Sequence, residues 1–489
     1  MNLFIIDHPY HYEAENLCRV FFPFDRVVVL HGEEEEFEPQ SRTVWTEITD
    51  GEKPYRVKIE DEVGTTELFG EKCAEDEYGL MSLLFKALTE HSGKMPRWGM
   101  LTGIHPIKLL RQLAEKYGEE EANRLFREKY FVSEEKAEIA SRTLVSETPF
   151  IKDVGENDYS LYISVPFCPT RCAYCSFVSQ SVEKTKKQIP EYHKLLMQEI
   201  RETAEIANGL GLTLRTVYVG GGTPTTFNAE QLTEMIATVR EVFDLSHCDE
   251  FTVEAGRPDT VDRAKLEALL NGGVTRISIN PQTLQDNVLE NIGRRHTAQQ
   301  TVDAFRLARE VGLNNINMDL IVGLPGDTFE SFCDTIEKVL ELDPENVTVH
   351  SLALKRSSFI TQSGEVNKAH EDALLADRMM AYAEKRLTEC GYEPYYLYRQ
   401  SRMAGNLENT GWTKPGFVCA YNIFTMDETE TVLACGAGGV SKLKDPYSEE
   451  LSRIFNFKYS YEYISRYGEI LDRKAGIKEK YEQFRERVH

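Results

Sequence analysis

Three cysteines, Cys168, Cys172 and Cys175, lie within a stretch of eight residues. The apolar run from Leu161 to Val165 predicts a buried strand directly before them, and the proline that follows the run ends that strand. The three thiols therefore lie together where a strand opens into a loop. Three thiolates can bind three irons of a [4Fe-4S] cluster, because these irons prefer sulfur ligands, and the fourth iron then stays open to a further ligand.

The cysteine spacing is also compatible with a zinc site or with plain buried thiols. A structural zinc site would need four protein ligands, and no fourth Cys or His is close to the three in the sequence. Free cysteines are often buried without any chemical role. The spacing favours the iron–sulfur cluster over both.

The composition limits the class of protein. A length of 489 residues exceeds what one core serves, so two or three domains are expected. Ten cysteines without regular pairing do not indicate a disulfide framework in so long a chain. No run of about 18 apolar residues occurs, and the start lacks the pattern of a signal peptide, so we expect a cytoplasmic protein. The net charge of −24 repels polyanions and argues against general nucleic-acid binding.

Residues 1–150 are predicted to form a small α+β domain of unknown role. Its predicted elements are a helix near Glu13 to Phe21 and strands at Leu3 to Ile6, Arg26 to Leu30, Thr43 to Ile48 and Tyr55 to Ile59. Amphipathic helices follow to about Leu144.

Residues 151–360 alternate strand patterns with amphipathic stretches of helix length. The candidate strands are Leu161 to Val165, Thr216 to Val219, Phe251 to Glu254, Thr275 to Ile279, Asn317 to Ile321 and Val347 to Leu352. Six βα units imply parallel strands, which right-handed crossovers coil into a barrel or partial barrel. The chemistry of such a fold gathers at the carboxyl ends of its strands.

Residues suited to ligand binding follow several of these strands. After the second comes a glycine-rich turn, GGGTPT, where bare backbone lets a ligand approach and exposed amides can hold a polar group. Glu254 ends the third strand and could accept hydrogen bonds from a ribose diol. Gln282 and Arg294 follow the fourth, and Asp319 is a charge inside the apolar fifth strand. Each residue could be structural by itself, but their shared placement favours function.

Residues 361–489 are predicted to be an α+β extension that covers the substrate, beginning with a helix from about Ala369 to Cys390. The segment from Tyr395 to Trp412 combines aromatic rings with Arg399, which suits a flat ligand bearing carboxylates. Packed tyrosines with surface arginines would account for this segment equally well. The segment from Cys435 to Leu443 is rich in small residues, which let another group come close to its backbone.

These motifs together resemble a known family. The Cys-x-x-x-Cys-x-x-Cys loop resembles that of radical SAM enzymes. YISVPFC, GGGTPT, the glutamate after the third strand, the Gln/Arg pair and DLIVGLP are similar to the coproporphyrinogen dehydrogenase group over about residues 155–354. YYLYRQ, GNLEN and GAGGVSK resemble its HemZ branch. The resemblance implies an α/β fold with a partial (β/α)6 barrel.

The resemblance also implies cofactors and a reaction. The cofactors would be a [4Fe-4S] cluster and one or two molecules of S-adenosylmethionine, with electrons from a donor protein such as a flavodoxin or ferredoxin. A 5′-deoxyadenosyl radical would take hydrogen from a propionate, carbon dioxide would leave, and loss of an electron would give a vinyl group. Two such steps would convert coproporphyrinogen III to protoporphyrinogen IX without oxygen, in porphyrin biosynthesis.

Residue roles are implied in the same way. Cys168, Cys172 and Cys175 match the cluster ligands. The residues that match contacts to the cluster-bound S-adenosylmethionine are Tyr162, Gly221, Glu254 and Ala353. Those that match contacts to a second molecule of it are Tyr174, Gly222, Thr223, Gln282, Arg294 and Asp319. We assign catalytic roles to Tyr162 and to Arg399, with Arg399 expected to pair with substrate propionates.

Two departures from the dehydrogenase pattern keep two further functions open. Ser164 replaces a histidine, and Phe177 replaces a fourth cysteine beyond the loop, so groups able to move protons or electrons are absent there. A phenylalanine at that point resembles the HemW-like haem chaperones. The alternatives are a haem-binding chaperone and, as the resemblance to relatives of this group implies, a radical methyltransferase that opens haem anaerobically.

Overall fold

The computed structural model describes residues 1–23, 25–32, 40–175, 179–352, 369–400 and 406–487. The chain divides into two compact units. The first comprises Met1–Ser141, Val366–Asp372 and Tyr398–Glu408, and the second comprises Arg142–Glu365, Ala373–Leu397 and Asn409–His489. Most of the predicted C-terminal region is thus grouped with the predicted barrel, and the three-domain division stays a prediction.

The first unit is a small α+β fold. Its elements, in chain order, are β1 (Asn2–Ile6), α1 (His11–Phe21), β2 (Val28–His31), β3 (Arg42–Ile48), β4 (Tyr55–Asp61), β5 (Gly64–Gly70), α2 (Asp76–Ser92), α3 (Pro106–Tyr117) and α4 (Glu119–Glu128). The sheet order is β2-β1-β3-β4-β5, with β1 parallel to both neighbours and β3, β4 and β5 antiparallel. Apolar residues of α1 and α2, including Leu17 and Leu84, close the core over this sheet.

The chain passes from the first unit into the second within α5 (Glu134–Lys152). The elements that follow are β6 (Asp158–Val165), β7 (Phe167–Cys168), β8 (Gln180–Ser181), α6 (Val182–Thr185), α7 (Ile189–Leu210), β9 (Thr213–Gly221), α8 (Ala229–Val242), β10 (Glu250–Glu254), α9 (Arg263–Asn271), β11 (Arg276–Ser278), α10 (Asp286–Asn291), α11 (Ala298–Val311), β12 (Ile316–Val322), α12 (Phe329–Leu342), β13 (Asn346–Ser351), α13 (Ala369–Glu389), β14 (Glu393–Arg399), β15 (Glu408–Thr413), α14 (Ala420–Asp427), β16 (Thr431–Cys435), β17 (Val440–Lys444), β18 (Leu451–Phe455), α15 (Ser460–Ser465) and α16 (Tyr467–Glu486).

The six predicted parallel strands are confirmed. In the described part of the chain they belong to a sheet of eleven strands, ordered β14-β15-β13-β12-β11-β10-β9-β6-β16-β17-β18. The run from β6 to β13 is parallel throughout. The C-terminal region supplies the flanking strands, because β16 lies parallel to β6 and β15 lies antiparallel to β13.

Local sequence explains why the helices and strands alternate. The parallel strands are apolar and mostly buried, as sheets covered by crossover helices require. Reciprocal capping boxes start three of the crossover helices, at Asn228 with Gln231, Thr297 with Gln300 and Thr328 with Ser331. Each such box satisfies amides that the first helical turn leaves unpaired. Within the described ranges, every helix is too short or too polar to cross a membrane.

Candidate active site

The cysteine loop leaves the sheet at the carboxyl end of β6. Cys168 lies in the two-residue strand β7, which pairs with β8, and the amide of Cys175 donates to the carbonyl of Cys172 at 3.1 Å. The amide of Ala173 donates to the carbonyl of Ile292 at 3.0 Å. Cys172 is buried, whereas Cys168 and Cys175 are half-buried. None of the three forms a disulfide.

Neighbouring strand ends hold this loop in place. The buried guanidinium of Arg257 donates through Nη1 to the carbonyl and hydroxyl oxygens of Thr170, at 3.3 and 3.1 Å. The hydroxyl of Thr170 donates to the carbonyl of Gly293 at 2.9 Å. The hydroxyl of Thr223 donates to Sγ of Cys168 at 3.5 Å. Burial raises the pKa of the Cys168 thiol, and the Thr223 hydroxyl is among the groups that oppose this rise.

The glycine run after β9 packs against the start of the cysteine loop. Gly221 has φ +100°, and a Cβ on Gly222 would lie 2.7 Å from the carbonyl oxygens of Val165 and Phe167. The amides of Gly222 and Thr223 donate to these same two carbonyls, at 2.8 and 2.7 Å. The expectation that exposed amides of this turn hold a ligand is therefore wrong for these two. The glycines allow the close backbone contact instead.

The side chain of Glu254, at the carboxyl end of β10, accepts a hydrogen bond from a tyrosine. The hydroxyl of Tyr218 donates to Oε1 of Glu254 at 2.7 Å. A Cβ on Gly220 would lie 2.9 Å from that same oxygen, so the carboxyl group needs a glycine there. The ring of Tyr421 stacks on Tyr218 at 4.4 Å, and the Tyr162 ring lies 6.4 Å from both. Burial raises the pKa of Glu254 to about 7, although the Tyr218 hydrogen bond opposes it.

Asp319 in β12 is held in its ionised form. Burial alone would raise the pKa of this carboxyl, but contacts with His350, Asn317 and Thr348 outweigh it and lower the pKa. Nδ2 of Asn317 donates to Oδ1 at 2.7 Å, and Nε2 of His350 lies 3.9 Å from Oδ2. The amide of Gln282 donates to the Asp319 carbonyl at 2.8 Å, and Gln282 has φ +66°. The two predicted residues are thus neighbours.

Arg294 connects the cysteine loop to the end of β11. Its Nη1 donates to the carbonyl of Asn280 at 2.6 Å, and its Nη2 donates to the hydroxyl of Tyr174 at 3.3 Å. Burial would lower the pKa of Arg294, but interactions with Tyr174 and Cys172 raise it. Burial raises the pKa of Tyr174. Arg294 and Tyr174, both predicted as site residues, thus meet beside Cys172 of the cysteine loop.

The small-residue segment that begins at Cys435 contacts the end of β6. Gly436 has φ +90°, and a Cβ on it would lie 2.4 Å from the carbonyl oxygen of Ser164. The hydroxyl of Ser164 donates to the carbonyl of Ala437 at 2.7 Å, and the hydroxyl of Tyr192 donates to the Ser164 carbonyl at 2.8 Å. This segment therefore supports the strand that carries the cysteine loop.

Comparison with known proteins agrees with this arrangement. The sequence profile of the radical SAM superfamily matches residues 162–339. The oxygen-independent coproporphyrinogen-III oxidase-like protein HemZ of Bacillus subtilis is 36% identical over 391 residues, which are 79% of this chain and 78% of HemZ. The chain belongs to the radical SAM superfamily, in the HemZ group. The cofactors of this superfamily are a [4Fe-4S] cluster and S-adenosylmethionine.

Two further proteins, a chaperone and an enzyme of known structure, are similar to this radical SAM chain. The heme chaperone HemW of Lactococcus lactis is 33% identical over 65% of the chain and 79% of its own length. The solved structure of coproporphyrinogen III oxidase HemN from Escherichia coli, described as a radical SAM enzyme, has a TM-score of 0.53 and 24% identity. The structural match covers 66% of this chain and 71% of the HemN chain. At that identity the likeness supports the fold alone.

The donor set of the radical SAM loop fits the cluster. Three free thiols share one loop, and one of them accepts a hydrogen bond from Thr223. Hydrogen bonds to sulfur and nearby charge are the means by which proteins tune such clusters. The buried cation of Arg294 lies beside Cys172 and would offset the negative charge of thiolate ligands.

Most of the predicted site residues lie in the second unit. Those that these contacts bring together are Tyr162, Cys168, Cys172, Tyr174, Cys175, Gly221, Gly222, Thr223, Glu254, Gln282, Arg294 and Asp319. Ala353 lies outside the described residues, as does Phe177.

Arg399 belongs to the first unit, whereas the cysteine loop belongs to the second. It is 4% exposed, and its guanidinium donates to the carbonyl of Leu101 at 2.6 Å and to Oδ1 of Asn406 at 2.7 Å. The Trp98 ring lies 5.8 Å away. Burial lowers the pKa of Arg399 to about 10. These contacts describe a structural role, and pairing with propionates stays a prediction.

Sequence reasoning missed Tyr218, His350, Tyr421 and Arg257. Tyr218 is two residues before Gly220, so strand periodicity places both on one face, and His350 is a polar residue in an apolar strand. Those signals could have identified both. Tyr421 reaches the site only through tertiary packing, and nothing in its local sequence predicts that contact.

Glu254→Gln is expected to change how stability depends on pH. The pKa of Glu254 is about 7 in the folded chain, against an ordinary value of 4.5. Between these values the unfolded chain releases a proton that the folded chain keeps, so wild-type stability falls as the pH rises and levels off above pH 7. Glutamine does not titrate. Relative to wild type, the free energy of unfolding of the variant should therefore rise by about 1–3 kcal/mol as the pH goes from about 5 to about 8.

Denaturant unfolding of both apoproteins at the two pH values measures this difference. Substitution of an exposed glutamate, Glu205→Gln, is the control and should follow wild type. An identical pH dependence in Glu254→Gln and wild type would contradict the prediction.

Proposed function

We propose that this chain is an oxygen-independent coproporphyrinogen III dehydrogenase. It would convert two propionates of coproporphyrinogen III to vinyl groups and give protoporphyrinogen IX. The observation that carries this proposal is the likeness to HemZ over 79% of the chain, which extends beyond the superfamily match at residues 162–339. HemZ is named for its similarity to the oxygen-independent oxidases of this substrate.

In this proposal Cys168, Cys172 and Cys175 hold the cluster. Tyr162, Gly221, Glu254 and Ala353 contact the S-adenosylmethionine bound to it. The residues that contact a second molecule of it are Tyr174, Gly222, Thr223, Gln282, Arg294 and Asp319. When bound, the two cofactors supply a one-electron cleavage of the sulfonium and a radical able to abstract hydrogen.

Glu254 and Asp319 would hold polar groups of the cofactor in different charge states. Glu254, with a pKa of about 7, can accept hydrogen bonds and can also donate one when protonated. Asp319, whose pKa is lowered, offers only acceptor oxygens. The stacked rings of Tyr162, Tyr218 and Tyr421 would exclude water beside these groups.

The proposed reaction balances for each propionate. One hydrogen atom leaves the side chain, one carbon dioxide leaves the carboxylate, and one electron passes to an acceptor. The remaining two carbons form the vinyl double bond. The chain would bind and orient the substrate and shield its intermediates from water.

A haem chaperone is the second candidate, and two observations favour it. HemW of Lactococcus lactis is 33% identical over 79% of its own length. Ser164, which replaces a histidine of the dehydrogenase pattern, is 4% exposed and donates to the carbonyl of Ala437. A serine held in this way does not titrate near neutral pH as a histidine does, so one proton-transfer group of the dehydrogenase is absent.

One anaerobic experiment separates the candidates. Cluster-loaded protein is reduced and incubated with S-adenosylmethionine and either coproporphyrinogen III or haem, and products are weighed by mass spectrometry. We expect loss of two carboxyl groups from coproporphyrinogen III. Unchanged haem that co-elutes with the protein would indicate a chaperone, and a methylated, iron-free open chain would indicate a methyltransferase. Deoxyadenosine without any change in coproporphyrinogen III would overturn the dehydrogenase proposal.

A further inference from the structure

We propose that a groove on the surface of the second unit holds a tetrapyrrole that carries propionates, apart from the candidate active site. The groove lies between β17 and β18 on one side and α16 on the other, and its described lining includes none of the predicted site residues. We call it the β18 groove. The inference rests on the proposed function, because the chain takes up a tetrapyrrole in that function and also as a haem chaperone.

The two strands give the β18 groove an apolar lining. The groove has a volume of about 450 Å³, and pockets for small molecules span roughly 300–1,000 Å³. Leu443 of β17 is buried, Ile454 of β18 is half-buried, and the ring of Phe455 is 55% exposed. In the described part of the chain β18 pairs with β17 alone and ends the sheet, so no further strand covers Phe455. The exposed ring can therefore stack on a flat aromatic ligand.

A glycine inside α16 leaves room in the β18 groove. Gly476 lies within this helix and lines the groove. Glycine in the interior of a helix is destabilising relative to alanine. A Cβ on Gly476 would lie 3.8 Å from Cδ1 of Ile454, which is an ordinary van der Waals contact, so the packing does not require a glycine. The space that the missing side chain leaves for a ligand accounts for this residue.

Three cations, Arg453, Arg473 and Lys480, line the β18 groove, and none of its described lining residues is acidic. Arg473 is three residues before Gly476, and Lys480 is four residues after it. Helical periodicity therefore places these three residues on one face of α16. The helix thus presents two cations on either side of the open position.

Arg473 carries the positive charge that the chain does not balance nearby. Lys480 pairs with Glu450 at 2.7 Å, and Arg453 pairs with Glu428 at 3.1 Å. Within the described ranges Arg473 forms no ion pair, and its Nη1 donates to a backbone carbonyl at 2.8 Å. Its guanidinium can therefore bind a carboxylate through charge-assisted hydrogen bonds.

These features favour a flat macrocycle with carboxylates on short arms. The ring matches Phe455 and the apolar lining, and a propionate matches Arg473. A long-chain fatty acid would offer a carboxylate but no ring to stack on the phenyl group. The net charge of −24 repels a large acidic protein at long range, whereas a small anion in the groove meets mainly the local charge of Arg473. Haem and coproporphyrin III share the required chemistry.

Two variants and their matched controls test the β18 groove. Gly476→Leu fills the groove. Gly468→Leu is its control, because this exposed glycine lies in the same helix with no atom within 4 Å of an added Cβ. Arg473→Gln removes the unbalanced charge, and Lys478→Gln removes an exposed charge from the same helix. Both leucine variants should unfold at a denaturant concentration no lower than wild type, because leucine is a better helix former than glycine.

Equilibrium dialysis of the full, cluster-loaded chain against haem, and separately against coproporphyrin III, measures how many macrocycles bind and how tightly. Wild type and both controls should bind one macrocycle in the groove, in addition to any in the active site. In Gly476→Leu and in Arg473→Gln the affinity for that macrocycle should fall about 10-fold or more, because it loses its space or its charge partner. The macrocycle that wild type binds more tightly is then the natural ligand of the groove.

Three results would overturn the groove proposal. The first is wild-type binding in either Gly476→Leu or Arg473→Gln, and the second is an equal loss in the controls. The third is displacement of haem by an equimolar amount of palmitate, because the groove would then accept any apolar carboxylate. Dialysis needs no turnover of S-adenosylmethionine. If the anaerobic assay leaves coproporphyrinogen III unchanged, the proposed dehydrogenase function fails, while the groove is still decided by the dialysis.

Discussion

Replacing Cys172 with serine is expected to give a folded protein that cannot retain an intact cluster. A serine hydroxyl is a poor substitute for a thiolate as a ligand of cluster iron. Cys172 is buried in the centre of the loop, so no other cysteine of the described loop can take its position. Iron and sulfide content should fall well below four per chain after anaerobic reconstitution. Deoxyadenosine production from S-adenosylmethionine should fall by about 100-fold or more.

The exposed Cys390 provides the matched control for this change. Cys390→Ser should keep wild-type iron, sulfide and visible absorbance. Far-ultraviolet circular dichroism of all three apoproteins checks that folding is unchanged. Full cluster content in Cys172→Ser would remove the basis for assigning the loop to the cluster.

Gly436→Ala is expected to cause a large loss of stability. The residue has φ +90°, where side chains with a Cβ are strained, and the new methyl group would lie 2.4 Å from the Ser164 carbonyl oxygen and 2.6 Å from the Tyr192 hydroxyl. The oxygen belongs to backbone in the strand before the cysteine loop, so it cannot swing away as a flexible side chain would. We expect a loss of about 3 kcal/mol or more in the free energy of unfolding.

Gly209→Ala is the control, because this glycine lies in α7 with no atom within 4 Å of an added Cβ. It should stabilise the chain by about 0.5–1 kcal/mol, since alanine loses less entropy in a helix. Denaturant unfolding measures both changes. A stability of Gly436→Ala within about 1 kcal/mol of wild type would mean that the backbone relaxes around the methyl group.

The sequence predicts the central sheet well because its strands are local patterns. Each of the six apolar runs forms a parallel strand, with ends that differ from prediction by a few residues. Glu254 and Asp319 lie near strand ends for the same reason, since the end of an apolar run is visible in the sequence. The ligands of the cluster are equally predictable, because the three cysteines lie within one short segment of the sequence.

Features that depend on distant segments could not be predicted in the same way. The sequence does not reveal that Gly222 packs against Val165, so sequence patterns alone leave its amide free for a ligand. Arg399 belongs to an aromatic segment, but its partners Leu101 and Asn406 lie in the first unit. Periodicity describes neighbours along one element, whereas these contacts depend on how elements pack.

The pairing of β6 with β16 has a consequence for biosynthesis. Ser160 on β6 donates to the carboxylate of Glu430, and the two residues are 270 positions apart. A ribosome therefore releases the strand that carries the cysteine loop long before its second neighbour has been made. Until translation reaches β16, that strand has one unpaired edge. An early stop codon ahead of Thr431 would therefore leave the cysteine loop on a strand that lacks one of its two neighbours.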